Sequence, residues 1–373
     1  MLPIELVVHV LDLLHPKEDQ ESLRACAIVH STWTPVAQAI LFHSLTIHGI
    51  SPHHEDYTEL SDRWIQSLST LIESLEVHPY LVEYVQDVRL RHLESQNFRD
   101  ESIQHIFQLP SLVSLEIQWT TFPSLAQFLT MFSTARGLTR IKLSSLRFTE
   151  PRGIDEALAA ITTPPRSIHI QELHFHLVRL KPFVAWFEMP QCPMNLSGLK
   201  TLRLHRSSMY DHESTATLLN AGGASLSHLD LEGPYRATES DQVHLGYNPN
   251  IRTLALINLQ QTETYDPVQW ILSLFRPLKQ SLLHTIRLEV HVEQPSHEFW
   301  GRWGPVDDLF SLPIFQALEE VILVVSSSEK PYEPKSIIEE GFPQLVKKGI
   351  VKVETEYRER ELSRALVMAV PLQ

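Results

Sequence analysis

Cysteine, glycine and long apolar runs are all scarce in this chain of 373 residues, and each scarcity excludes a class of protein. Two cysteines, Cys26 and Cys192, are too few for a disulfide framework or a cysteine zinc cluster and fit a reducing compartment. Twelve glycines include no phosphate-binding Gly-rich loop. No apolar run approaches the roughly 18 residues of a membrane helix. We therefore expect a cytoplasmic and/or nuclear protein.

Basic residues are also few, with 31 Lys and Arg against 45 Asp and Glu, which gives a formal net charge of -14. Nucleic acids and anionic membranes need a basic surface, so we expect neither as a partner. The sequence has no Gly-x-Ser-x-Gly or His-Glu-x-x-His motif. We therefore expect a protein that is not an enzyme, with no catalytic residues, no cofactor and no metal.

The N-terminal 44 residues carry apolar residues at helical spacing. They begin Leu-Pro-Ile-Glu-Leu at residues 2–6, and the spacing predicts a helix that continues to Leu14. A second helix is predicted over Leu23–Val29 with Ser22 as its cap, and a third after a Ser31 cap. Three such short helices bury little surface alone, so part of their apolar surface must lie against a partner or the rest of the chain.

A Leu-Pro-x-Glu-Leu start, two short apolar helices and a following Trp33 resemble an F-box, over about an eighth of the chain. F-box modules bind the Skp adaptor of cullin-RING ubiquitin ligases. The alternative is that the same residues are the core of an N-terminal cap. The resemblance assigns the following residues to the adaptor interface or its immediate support: Leu2, Pro3, Glu5, Leu6, Leu23, Cys26, Val29 and Trp33.

From residue 85 onward, one apolar pattern recurs along the chain. It has three apolar residues, with two residues between the first and second and one residue between the second and third. Subtracting the first positions of successive copies gives intervals of 25 to 35 residues. An earlier copy is predicted at Phe42/Leu45/Ile47 and a final strand at 350–353. The main copies are Val85/Val88/Leu90, Leu112/Leu115/Ile117, Leu138/Ile141/Leu143, Ile170/Leu173/Phe175, Leu199/Leu202/Leu204, Leu226/Leu229/Leu231, Ile251/Leu254/Leu256, Leu283/Ile286/Leu288 and Leu318/Val321/Leu323.

This pattern resembles a leucine-rich repeat, in which each strand is followed by a helix. Helical patterns do lie between the copies, at 124–132, 154–161, 215–220, 267–275 and 336–346. The Asn or Cys that usually follows the strand is replaced by Thr120, Leu146, Val178, Ser207, Pro234 and Leu259.

The predicted fold class is therefore α/β, with two domains. Residues 1–44 form a three-helix F-box. Residues 45–373 form an irregular, ribonuclease-inhibitor-like leucine-rich-repeat solenoid with a parallel concave sheet. A non-repeat α/β fold is the alternative.

The strand residues between and after the apolar positions are predicted to face the concave side, where they would bind a protein substrate. Those in the N-terminal and middle strands lean basic, which suits an acidic or phosphorylated peptide. The alternative is a solvated face whose charges pair with one another. The candidate substrate-binding residues are Arg89, Arg91, Lys142, His174, His176, Arg203, His205 and Arg287.

Two further groups have open interpretations. His174 and His176 share a strand face that His205 would approach, which makes a metal site conceivable, although an exposed polar face explains them as well. Phe299, Trp300 and Trp303 form either an aromatic binding hot spot or loop packing.

The resemblance implies a substrate receptor of an SCF-type ubiquitin ligase, which binds the Skp adaptor and, through it, a cullin. The substrate protein is not identified by the sequence. One rival is a leucine-rich scaffold unrelated to ubiquitin, in which the N-terminal helices cap the repeats. A second rival is a hydrolase or metal-dependent enzyme built around His174, His176 or His205.

Overall fold

The structure is a computed structural model that describes residues 4–11, 13–14, 18–49, 57–99, 102–150, 164–206, 211–234, 243–262, 266–292, 300–327 and 334–357. The chain divides into two compact units. The first comprises Met1–Leu173 and Ala185–Asn195, and the second His174–Val184 and Leu196–Gln373. The division predicted at residue 44 stays a prediction, because the N-terminal helices lie in the same unit as the first strands.

The helices of the described part of the chain are mostly short. None of them combines the length and the apolar character that crossing a membrane requires. They are α1 (Ile4–Leu11), α2 (Gln20–Val29), α3 (Thr34–Phe42), α4 (Tyr57–Val77), α5 (Pro79–Val82), α6 (Ser102–Phe107), α7 (Leu125–Thr134), α8 (Lys181–Glu188), α9 (His212–Gly222), α10 (Val268–Phe275), α11 (Gly304–Ser311), α12 (Pro334–Gly341) and α13 (Pro343–Lys348).

The strands alternate with these helices along the chain. They are β1 (Ser44–His48), β2 (Asp87–Arg91), β3 (Ser114–Gln118), β4 (Thr121–Ser124), β5 (Arg140–Ser144), β6 (Arg147–Glu150), β7 (Ile168–His169), β8 (Glu172–His176), β9 (Met194–Asn195), β10 (Thr201–His205), β11 (His228–Glu232), β12 (Thr253–Gln261), β13 (Thr285–Val292), β14 (Glu320–Ser327) and β15 (Val351–Tyr357).

In the first unit, β1, β2, β3 and β5 are parallel neighbours in that order. The apolar positions of the sequence pattern are aligned across them: Val88 pairs with Leu115 and Leu115 with Ile141. These side chains are buried, whereas the residues between them point to the other face. Two short parallel pairs, β4 with β6 and β7 with β9, complete the described strands of this unit.

In the second unit, β10 to β15 are parallel neighbours in chain order. Leu204, Leu231, Leu256, Leu288 and Leu323 occupy successive aligned positions and are buried. The sequence pattern thus correctly predicted a mixed α/β chain with a large parallel sheet. The predicted earlier copy and the predicted final strand are present as β1 and β15.

Four predicted helix boundaries were wrong. The first helix ends at Leu11 and does not continue to Leu14. The second helix begins at Gln20, so Ser22 lies inside it and does not cap it. The third begins at Thr34 with Trp33 at its N-cap, so Ser31 is not the cap. The helix predicted over 336–346 is two helices, because the ring of Pro343 cannot continue a helix and instead begins the next one. The helix predicted at 154–161 lies outside the described residues.

A left-handed residue follows several of the parallel strands. His92, Trp119, Ser145, Leu177 and Arg206 have φ between 52° and 55°, and each directly follows a strand. The backbone N–H of His92 donates to the carbonyl of Gln118 and that of Trp119 to the carbonyl of Ser144, so the ladder continues through the turn.

The positions where a leucine-rich repeat usually carries Asn or Cys are instead buried. Among the described residues, the buried ones are Leu93, Thr120 and Leu146 in the first unit and Val178, Pro234 and Leu259 in the second. Ser207 lies outside the described residues.

Candidate protein-interaction surfaces

The three N-terminal helices share a small apolar core. Val7, Leu11, Leu23 and Ala37 are buried together, one or more from each helix. The hydroxyl of Thr34 donates to the carbonyl of Ala27, 2.8 Å away, and so ties the start of α3 to α2. Other partly buried side chains that pack against this core are Leu14, Cys26, Ala27, Trp33, Val36, Ile40 and Leu41.

The same helices leave several large apolar side chains in solvent. Five of the twelve exposed large apolar residues in the described part of the chain lie between residues 8 and 29, which is a concentration that scattered surface residues would not produce. Leu13 is 74% exposed, Ile28 84% and Val29 71%, and Val8 and Val10 are also exposed. These five exposed side chains are together named the helical apolar surface below: Val8, Val10 and Leu13 on or just after α1, and Ile28 and Val29 at the end of α2.

The residues that the sequence assigned to an adaptor interface or its support differ in how far they are buried. Leu23 is fully buried and can only support a surface, Cys26 and Trp33 are partly buried, and Val29 is exposed. Leu2 and Pro3 lie outside the described residues, as do the side chains of Glu5 and Leu6.

Sequence reasoning missed Val8, Val10, Leu13 and Ile28 as interface candidates. Their apolar type was visible, but helical spacing alone does not tell which of two apolar faces is buried.

In the first unit, the outward side chains of β2, β3 and β5 form a charged surface, named the first polar face. Glu116 is at its centre: its carboxylate accepts hydrogen bonds from Arg91 Nη2 at 3.1 Å and Gln118 Nε2 at 2.6 Å. Arg89 Nε lies 3.9 Å from the other oxygen of Glu116. One carboxylate therefore serves two arginines.

A second group on the first polar face joins strands that are not neighbours. Arg140 on β5 donates from Nη2 to the carboxylate of Asp87 on β2, 3.0 Å away, and His43 Nε2 lies 3.2 Å from the same carboxylate. Lys142 is exposed, and no ion pair joins it to another described residue. Most charged side chains of the first polar face thus lie in ion pairs, but the face has more cationic side chains than carboxylates.

In the second unit, the outward arginines of the sheet are engaged more completely. Arg203 Nε lies 3.1 Å from the carboxylate of Asp230 on the next strand. Arg287 Nε donates to Glu289 at 2.8 Å, and its Nη1 reaches Glu354 at 3.3 Å. These pairs match the alternative in which the charges of the face bind one another, and they leave Arg203 and Arg287 less available to a substrate.

The predicted approach of His205 to His174 and His176 is confirmed. The ring centres of His205 and His174 lie 4.9 Å apart, and those of His205 and His176 lie 6.4 Å apart. The nearest carboxylate, Asp230, is 4.0 Å from His205 Nε2 and already pairs with Arg203. Among the described residues, no group of three or more His, Cys, Asp or Glu side chains is arranged to hold a metal ion.

The pKa of His205 is lowered to about 4, first by burial and then by nearby His176 and Arg203, against an opposing effect of Glu289. The pKa of His176 is also lowered, first by burial and then by Arg206. Asp230 has a raised pKa, mainly because it is buried. His205 is therefore neutral at physiological pH, in a setting that resists a positive charge.

This environment predicts acid sensitivity of the fold. The pKa of His205 is about 4 in the folded chain and 6.5 in the unfolded chain. Below pH 6.5 the unfolded chain therefore binds a proton that the folded chain does not, and the free energy of unfolding falls until the pH reaches about 4. Above pH 6.5 the ring is neutral in both states and this loss is absent. Between about pH 7.5 and about pH 5, the wild-type free energy of unfolding should fall by about 2 kcal/mol more than that of His205→Gln. Denaturant titrations at both pH values measure this difference.

The matched control is His169→Gln, which removes an exposed histidine on strand β7 that does not shift the pKa of His205 or Asp230. It should keep the wild-type pH dependence. Equal pH dependence in wild type and His205→Gln would contradict the prediction. The opposite titration of Asp230 is present in all three proteins and does not affect the comparison.

Glu232 is a buried carboxylate whose role the sequence did not reveal. It accepts hydrogen bonds from the backbone N–H of Arg206 and from Asn258 Nδ2, at 2.5 Å from the latter. Burial raises its pKa, and the bonds to Asn258 and Arg206 oppose that rise. Both donors have left-handed backbone, Arg206 just after β10 and Asn258 within β12. These two strands flank β11, so the carboxylate of Glu232 on β11 joins them.

The aromatic cluster near residue 300 is packing. Trp300 and Trp303 are fully buried, and Trp303 Nε1 donates to Gln261 Oε1 at 2.7 Å. The hot-spot interpretation was therefore wrong for these two residues, because neither ring reaches solvent. Phe299 lies outside the described residues.

No protein-family model matches the chain, and no curated protein matches its sequence. Its function must therefore be inferred from the two surfaces described above, the helical apolar surface and the polar faces of the sheet.

Proposed function

We propose that this protein is a substrate receptor of an SCF-type cullin-RING ubiquitin ligase. The observation that carries the proposal is the helical apolar surface, which belongs to helices α1 and α2 of the segment that resembles an F-box. Val10, Leu13, Ile28 and Val29 are exposed although the helices have a core of their own. A partner that covers these side chains would remove apolar area from water, at about 25 cal/mol per Å².

In this proposal the repeats, arranged as a leucine-rich solenoid, hold the substrate protein, while the N-terminal helices hold the Skp adaptor and, through it, the cullin. The protein contributes no chemistry. It raises the effective concentration of a substrate lysine near a ubiquitin-charged conjugating enzyme. Such a role needs neither a cofactor nor a metal and places the protein in the cytoplasm and/or nucleus.

The rival function is a leucine-rich scaffold whose N-terminal helices only cap the repeats. One observation favours it: α3 contacts α5, which directly precedes strand β2 of the first unit. A cap, however, gains stability by burying its apolar residues, and Leu13, Ile28 and Val29 remain in solvent. The exposed side chains therefore favour a partner over a cap.

Binding of the purified full-length chain to a Skp adaptor, measured by isothermal titration calorimetry, tests the proposal. The double variant Val10→Asp/Ile28→Asp should bind at least about tenfold more weakly, because it places two charges in an apolar interface. The control Val77→Asp adds a charge at an exposed valine at the end of α4 and should bind as wild type does. A folded wild-type chain that does not bind the adaptor would refute the proposal.

A further inference from the structure

The ends of strands β2 and β3 carry an aromatic pair that the fold does not require. Arg91 pairs with Gln118 in the register of the two strands, and the next residue on each strand is aromatic, His92 and Trp119. The two rings are parallel within 5°, with centres 6.4 Å apart, as in an offset stack. Trp119 is 50% exposed, and His92 is exposed as well.

The backbone at this pair is unfavourable for large side chains. His92 has φ 55° and Trp119 φ 52°, a left-handed conformation that is unfavourable for residues other than glycine. An indole that was buried in the core could offset this cost, but half of the Trp119 surface lies in solvent. The same left-handed turn follows β5, β8 and β10, so the repeats set this backbone. What distinguishes β2 and β3 is that their turns carry exposed aromatic side chains, and tryptophan is enriched among the residues that dominate binding affinity.

The charges beside this pair favour an acidic partner. The first polar face carries four cations, Arg89, Arg91, Arg140 and Lys142, against the carboxylates of Asp87 and Glu116, in a chain whose net charge is -14. The side chain of Arg91 is 31% exposed, and its Nη2 is the atom that donates to Glu116. A guanidinium has five N–H donors, so Arg91 can bind a further carboxylate while it keeps Glu116.

We propose that the Trp119–His92 stack and the cations of the first polar face form a docking platform for an acidic, extended segment of a partner protein. The partner's aromatic or proline residue would lie on the indole, and its carboxylates would meet Arg91 and Lys142. Three neighbouring strands span about 10 Å, so the recognised element is about three residues long. The idea that this partner is the ubiquitination substrate rests on the proposed function.

The test is selection from a phage-displayed library of random dodecapeptides on the full-length chain, followed by affinity measurement with synthetic copies of the selected peptides. We expect peptides rich in Asp and Glu that contain an aromatic or proline residue. Trp119→Gly should weaken their binding at least about tenfold. Because glycine is favoured at a positive φ, this variant removes the ring without threatening the fold. Arg91→Gln should weaken the same peptides.

The matched controls are Tyr247→Ala, which removes another exposed aromatic side chain, and Arg276→Gln, which removes an exposed arginine elsewhere. Both should bind the peptides as wild type does. An absence of enriched peptides, enrichment of neutral or basic ones, or binding that survives Trp119→Gly would overturn the proposal. Binding dependent on Trp119 to phosphatidylserine-containing vesicles in place of peptides would also overturn it.

The selection does not involve the adaptor, so the two proposals can fail separately. Acidic peptides that bind a chain unable to bind the adaptor would refute only the ligase function. A chain that binds the adaptor but selects no acidic peptides would refute only the docking platform.

Discussion

Leu23→Ala should lower the free energy of unfolding of the N-terminal helices by about 3 kcal/mol. Leu23 is fully buried among Val7, Leu11 and Ala37, and removing three side-chain carbons leaves a cavity at the point where the helices meet. A core this small has few other contacts to compensate. Hydrogen exchange of backbone amides in α1, α2 and α3, followed by mass spectrometry, measures the expected loss locally.

Val29→Ala is the matched control, since it shortens another apolar side chain of the same helix α2 that is 71% exposed. Its effect on stability should stay within about 0.5 kcal/mol. Adaptor affinity should respond differently: Val29→Ala weakens it without loss of structure, whereas Leu23→Ala weakens it only as far as the helices unfold. Equal protection from exchange in both variants would contradict the core that the structure describes.

Leu23 and Val29 also illustrate what the sequence could not predict about the adaptor surface. Both are apolar residues of a short helix, and both were assigned to the same interface. Whether such a residue is buried beneath the interface or exposed to the adaptor depends on where α1 and α3 pack against α2. That packing involves Val7 and Ala37, which lie on the other two helices. On α1, the same ambiguity concealed that Val7 is buried while Val10 is exposed.

The parallel strands were predictable because their signal is local. Two buried side chains separated by one outward residue, as in Leu115–Glu116–Ile117, mark a strand, and the regular return of that pattern predicts alignment with the next one. The turns that follow the strands were not predictable, because residues such as Trp119 and Leu177 occupy left-handed positions that usually indicate glycine or asparagine.

The ion pairs of the polar faces were beyond sequence analysis for a different reason. Asp87 and Arg140 are 53 residues apart, and Arg287 and Glu354 are 67 apart. Each pair crosses an intervening strand, so predicting it requires the strand order as well as the strands. The sequence identified Arg89, Arg91, Lys142, Arg203 and Arg287 but missed Arg140, and it did not show which of these cations are already engaged by carboxylates.

Asp307→Ala should lower the free energy of unfolding of the second unit by about 3 kcal/mol. Asp307 on α11 is buried, and its two carboxylate oxygens accept the backbone N–H groups of Gln344 and Leu345, at 2.8 and 2.9 Å. These are first-turn donors of α13 that have no partner within their own helix. Truncation therefore leaves both without an acceptor, at about 1–3 kcal/mol for each buried group.

The neighbouring Asp308 provides the matched control, because it is exposed and its carboxylate accepts a hydrogen bond from the side-chain amide of the same Gln344, not from the backbone of α13. Asp308→Ala removes an identical carboxylate from the same helix and should change stability by less than about 0.5 kcal/mol. Asp307→Asn keeps one acceptor oxygen and should fall between the two alanine variants. Urea denaturation of the three variants measures this order, and equal midpoints for Asp307→Ala and Asp308→Ala would show that α13 does not depend on the carboxylate of Asp307.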